Sequence, residues 1–134
     1  MICVPITAAT IEAAEAEIEQ ANKVADIIEL RLDYIKGINA EKMHALLKKC
    51  RKKTIVTVRG KKERGKFSGS EKQRILLLRK ALEYGADYID VEFGIKPATL
   101  KSLGKKKGHS KIILSHHDFS STPRHGANSH LGPV

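Results

Sequence analysis

A histidine at the exit of an apolar strand is placed for proton transfer, and His117 closes the run Ile112-Ile113-Leu114-Ser115-His116-His117. Imidazole titrates near neutrality, so it can take a proton from carbon or return one to a departing hydroxyl. Arg59 ends a second apolar run, Thr54 to Val58, just before a long polar loop. A guanidinium held rigidly at a strand end suits two-point capture of a carboxylate. Glu63, four residues on, can orient Arg59 or His117, or can simply be solvated. Glu29 and Arg31 are two apart, as are Asp90 and Glu92, and strand residues two apart share a face. Glu29 and Arg31 read equally as a structural ion pair or as ligand contacts; Asp90 and Glu92 read as the carboxylates that neutralise the arginines. His116 is turned away from His117 by strand alternation, and Asp118 reads as a turn or cap residue. Cys3 and Cys50 have no spacing that suggests zinc or a redox pair, and are expected to be two reduced core thiols.

These groups need strands to hold them. Ile2 to Ile6, Asp26 to Leu32, Thr54 to Val58, Ala86 to Phe93 and Lys111 to His116 are apolar runs of strand length. Helical periods lie between them. Thr10 can cap a helix whose apolar face is Ile11, Ala14, Ile18, Ala21 and Ala25, and Met43, Leu46, Leu47 and Cys50 form a second apolar stripe. Ser70-Glu71-Lys72-Gln73 has the form of a capping box before Ile75 to Tyr84, with Gly85 as a left-handed stop. Pro97 opens a short helix to about Leu103.

Five βα units fit either a doubly wound sheet of flavodoxin type or the first five units of a (β/α)₈ barrel, which usually needs about 250 residues. The charges within the strands favour the barrel. A doubly wound sheet buries both faces under helices, where unpaired charges cost several kcal/mol. A barrel lumen lets Glu29, Arg31, Arg59, Asp90 and His117 form an inward ring near its C-terminal mouth. The 134 residues have room for one domain, expected over 1–123, with 124–134 an irregular tail. No apolar run is long enough for a membrane helix and no secretory leader is evident, so a cytoplasmic protein is expected. The net charge of +10 comes from lysine-rich runs at 48–53, 61–66 and 105–107. They read first as solvated helix ends and loops, with attraction of a small anion or of nucleic acid as lesser readings; sparse aromatics weigh against single-strand binding.

Four motifs then carry a resemblance: Glu29-Leu30-Arg31-Leu32-Asp33; Thr57-Val58-Arg59 with Glu63; Ile89-Asp90-Val91-Glu92; and Ser115-His116-His117-Asp118-Phe119 closing at Thr122-Pro123. In order and spacing the chain resembles the type I 3-dehydroquinate dehydratases over about residues 2 to 123. The resemblance implies a (β/α)₈ barrel of the shikimate pathway, a lyase that converts 3-dehydroquinate to 3-dehydroshikimate through a lysine imine, without metal or cofactor. It implies that Glu29 and Arg31 contact ring hydroxyls, that Arg59 binds substrate, that Glu63 helps position the histidine, and that His117 shuttles the proton. His116 stands where the family usually has tyrosine. The family's imine lysine follows on the sixth strand, and no lysine occurs after Lys111. The chain is therefore expected to be a truncated dehydratase without turnover of its own. The other readings are a non-catalytic half-barrel that binds an anion or a partner chain, and a basic nucleic-acid module. Self-association through the two edge strands is also expected.

Overall fold

The computed structural model describes residues 1–115, so the expectations that fall on His116, His117, Asp118 and the 124–134 tail lie outside the described residues. Strands and helices alternate as β1 (Cys3–Ile6), α1 (Ile11–Val24), β2 (Ile27–Arg31), α2 (Ala40–Lys49), β3 (Lys53–Thr57), α3 (Glu71–Glu83), β4 (Tyr88–Glu92), α4 (Pro97–Lys106) and β5 (Lys111–Ser115). The strands form one parallel sheet in the order β1-β2-β3-β4-β5. A flavodoxin-type sheet would run 2-1-3-4-5, so the sequential order excludes it. This is the wall of a (β/α)₈-type barrel, present here as five successive strands.

Local chemistry sets the helix ends. Thr10 Oγ1 accepts from the Ala13 amide at 3.2 Å, and Asn39 Oδ1 accepts from that of Lys42 at 2.8 Å. Ser70 and Gln73 close a reciprocal capping box on α3. Gly85, at φ +86°, ends α3 in the left-handed region that disfavours a β-carbon. Pro97 starts α4, which runs to Lys106 rather than stopping near Leu103. Leu103 is fully buried, so packing carries this weak helix further than its glycine-containing sequence suggests.

The core lies between the helices and the outer face of the sheet. Ala14 and Ile18 of α1, Met43 and Leu46 of α2, Leu78 of α3 and Leu103 of α4 cover Ile28, Leu30, Val56, Ile89, Val91 and Ile112. Alternation sends the intervening residues of each strand to the inner, concave side. Cys3 lies on that inner side and is exposed, which corrects its assignment as a core thiol. β1 is an edge strand, and only its Ile6 is buried. Cys50 is half-buried at the end of α2, where burial pushes its thiol up to about 12.

Candidate active site

The inner face carries its polar groups at the C-terminal ends of the strands. In register, Arg31 lies beside Thr57, Thr57 beside Asp90, and Glu92 beside Ser115. Glu29 Oε2 accepts a 2.7 Å hydrogen bond from Thr57 Oγ1. Arg59, two residues beyond Thr57, is buried; its Nη1 donates to Asp90 Oδ1 at 3.1 Å and to Ser115 Oγ at 3.0 Å. Ser115 Oγ in turn donates to Asp90 Oδ1 at 2.7 Å. One carboxylate oxygen thus fixes both the guanidinium and the hydroxyl. Among the described residues, Arg59 Nη2 and Nε donate to no other side chain.

The loop after β3 folds back onto Arg59. The carbonyl of Arg59 accepts from the Phe67 amide at 3.2 Å, and that of Gly60 accepts from the Gly65 amide at 2.8 Å. A β-carbon at Gly65 would collide with the backbone of Arg59, so glycine is required there by close approach. Glu63, expected to orient Arg59 or His117, sits half-buried in the short turn Lys61–Glu63. Among the described residues it makes no hydrogen bond to Arg59, and it acts on the site as a negative charge near Glu92.

Arg31 does not pair with Glu29. Its Nε and Nη2 donate to Asp33 at 3.0 and 2.9 Å, and its guanidinium lies 4.9 Å from the Tyr34 ring centre. Burial opposes the charge on Arg31, but Asp33, helped by the nearby Glu29 and Tyr34, outweighs it, and the guanidinium pKa is raised. The Asp33 side chain is wholly buried and also accepts from the Lys66 amide at 3.1 Å. It therefore ties the loop after β2 to the loop after β3. Asp90 neutralises an arginine as expected. Glu92 does so through Arg74 of α3, a residue not singled out in the sequence, at 3.5 Å. Glu92 Oε1 also accepts from the Gly60 amide at 3.1 Å. Burial raises the Glu92 carboxyl pKa despite that amide and the nearby Arg74.

Asp33, Ser115, Gly65 and Arg74 complete the arrangement without having been assigned roles from sequence. Asp33 had a signal, since Glu29-x-Arg31-x-Asp33 continues an alternation of charge. Arg74 had none, because it lies mid-pattern in a helix rich in exposed charge. No cluster of three His, Cys, Asp or Glu among the described residues could hold a metal ion. The arrangement can receive an anion at Arg59, with hydroxyl-bonding groups at Glu29 and Arg31 on the neighbouring strand.

The sequence profile of the type I 3-dehydroquinases matches residues 2–131. The chain belongs to the type I 3-dehydroquinase family. It is 40% identical over 126 residues to the Arabidopsis thaliana chloroplastic bifunctional 3-dehydroquinate dehydratase/shikimate dehydrogenase, covering 92% of this chain and 21% of that protein. It is 34% identical to the 3-dehydroquinate dehydratase of Methanocaldococcus jannaschii, covering 92% of this chain and 56% of the relative. Among solved structures, the type I enzyme of Clostridium difficile superposes with a TM-score of 0.83 at 26% identity, over 91% of this chain and 52% of that one. The 3-dehydroquinate dehydratase of Enterococcus faecalis superposes with a TM-score of 0.79 at 30% identity, over 91% and 55% of the two chains. The chain thus spans about half the length of these single-function relatives. The family's barrel explains why the strands follow one another in order, and why the charged ring lies at their C-terminal ends.

Proposed function

We propose that these 134 residues form the carboxylate- and hydroxyl-binding part of a 3-dehydroquinate dehydratase site, and bind 3-dehydroquinate without turning it over by themselves. The observation that carries this reading is Arg59: a buried guanidinium, fixed on one nitrogen by Asp90 and Ser115, whose Nη2 and Nε make no side-chain hydrogen bond among the described residues and are assigned here to a carboxylate. Such a contact is preorganised, because the donor is already desolvated and ordered before the ligand arrives. Glu29 and Arg31 take ring hydroxyls in this reading, and Asp33 keeps the Arg31 guanidinium in place.

Dehydration through an imine requires an amine on the substrate carbonyl. The protonated imine draws electrons from the adjacent carbon, a base removes that carbon's proton, and the same base returns a proton to the hydroxyl that leaves as water. His117, two positions after Ser115 in the sequence, is assigned that proton, with Glu63 as its positioning residue. The amine is assigned to a lysine outside these residues, since none follows Lys111. Borohydride reduction in the presence of 3-dehydroquinate, read by intact-mass spectrometry, tests this. The expected result is no stoichiometric adduct and no product. A one-to-one adduct on a single lysine, formed with turnover, would contradict the proposal.

A further inference from the structure

In a parallel sheet every helix ends, and every strand begins, on the face opposite the Arg59 mouth. That face collects the lysine-rich runs at 48–53 and 105–107, together with Lys23, Lys80 and Lys111. Nearly all of these cations are exposed. Among the described residues, the carboxylates at the same end of the sheet are fewer than these cations, and most are engaged. Asp26 accepts from the Ile2 amide at 2.7 Å, Glu15 pairs with Lys49 at 3.9 Å, Glu83 pairs with Lys80 at 3.3 Å, and Asp87 accepts from the Thr54 amide at 2.9 Å. At the mouth, Arg31, Arg59 and Arg74 are each matched by a carboxylate, and the exposed cations include the Lys61, Lys62 and Lys66 stretch of the loop after β3.

Complementing helix dipoles does not account for this excess. A helix C-terminus presents roughly half a negative charge, so four helices need about two cations between them. The rest forms a positive field on the side away from the mouth, where it cannot act as the local clamp for a small substrate. A notch of about 190 Å³ opens in that face beside Lys48, Lys52 and Asp87, against the His44–Tyr84 stack. It is wide enough to seat a phosphate group.

We propose that this face binds the phosphate backbone of double-helical nucleic acid. Lysine dominates it, and lysine ammonium groups act as point charges that suit phosphates without reading sequence. Tyr84 is already stacked on His44 with ring centres 4.0 Å apart, so the face offers no free platform for unpaired bases. A membrane surface fits less well. The helices meet this face end-on rather than laying an amphipathic side along it, and its exposed apolar side chains among the described residues, Met1, Ile2 and Val24, are confined to the β1–α1 edge.

Fluorescence polarisation of a labelled RNA duplex with the full chain tests the assignment. About four phosphate contacts predict a loss of roughly a hundredfold in affinity between about 50 and about 200 mM salt. A combined Lys48→Glu, Lys52→Glu, Lys105→Glu, Lys106→Glu variant is expected to weaken binding at least tenfold more than a control with Lys61→Glu and Lys62→Glu on the mouth side. All six positions are exposed, and each variant is first required to keep the wild-type thermal transition. Three results would overturn the proposal: no duplex binding at the lower salt, equal loss in the mouth-side control, or tighter binding to phosphatidylserine vesicles than to the duplex.

Discussion

Asp90 and Glu92 share one strand, and each faces an arginine. Asp90 meets Arg59 with both side chains about nine-tenths hidden, and removing one member of such a buried pair leaves the other uncompensated. Asp90→Asn is expected to lower unfolding stability by roughly 3 kcal/mol in urea titrations; a change within measurement error would show that Arg59 is held by other groups. Glu92 is held with its carboxyl pKa above the ordinary 4.5, burial being the main cause. A raised native pKa contributes stability that is fully present below the ordinary value and is lost as pH rises through the native value. The stability of wild type minus that of Glu92→Gln should therefore fall as pH rises above 4.5. A difference that grew with pH would mean that the Arg74 contact outweighs burial. At this scale the sequence showed which residues carry charge but not all of their partners. Alternation put Glu29 and Arg31 on one face, yet Arg31 turns to Asp33, and only the return of the loop after β3 brings Lys66 onto that same carboxylate.

The elements were legible wherever a terminus has its own chemistry. Thr10, the Ser70–Gln73 box, Gly85 and Pro97 each mark a boundary by a hydrogen bond or a backbone dihedral angle that does not depend on distant residues. The second and third expected strands overran at their ends because apolar character continues past the last ladder bond, at Leu32 and Val58. α4 was underestimated for the reverse reason: its persistence rests on Leu103 packing into the core, a tertiary effect absent from its local sequence. The capping box gives a direct measure at this level. Ser70→Ala removes the acceptor of the Gln73 amide at 3.1 Å and should cost about 1 kcal/mol in chemical denaturation. It should also loosen the start of α3, where Arg74 reaches Glu92 and the Val58 carbonyl. A stability identical to wild type would place the helix start elsewhere.

For the molecule as a whole, the strand order was legible because charges two apart in β2 and β4 do not suit a sheet covered on both faces. The loop conformations were not, since they depend on contacts such as Gly65 against Arg59 that no periodicity encodes. Among the described residues β1 and β5 each have one hydrogen-bonded neighbour, and their Cys3–Ile6 and Lys111–Ser115 segments are strand-prone. Edges of this kind pair with other chains, while a net charge of +10 opposes approach. Static light scattering should show mass rising with added salt as that repulsion is screened; a constant monomer mass would show that the edges are protected. The central claim, that Arg59 is set to receive the substrate carboxylate, is tested most directly by calorimetric titration of 3-dehydroquinate into wild type and Arg59→Ala. A charged hydrogen-bonded contact of roughly 1.5–3 kcal/mol predicts millimolar binding by the wild type and a loss of about tenfold or more in the variant. Micromolar affinity that survives Arg59→Ala unchanged would contradict it.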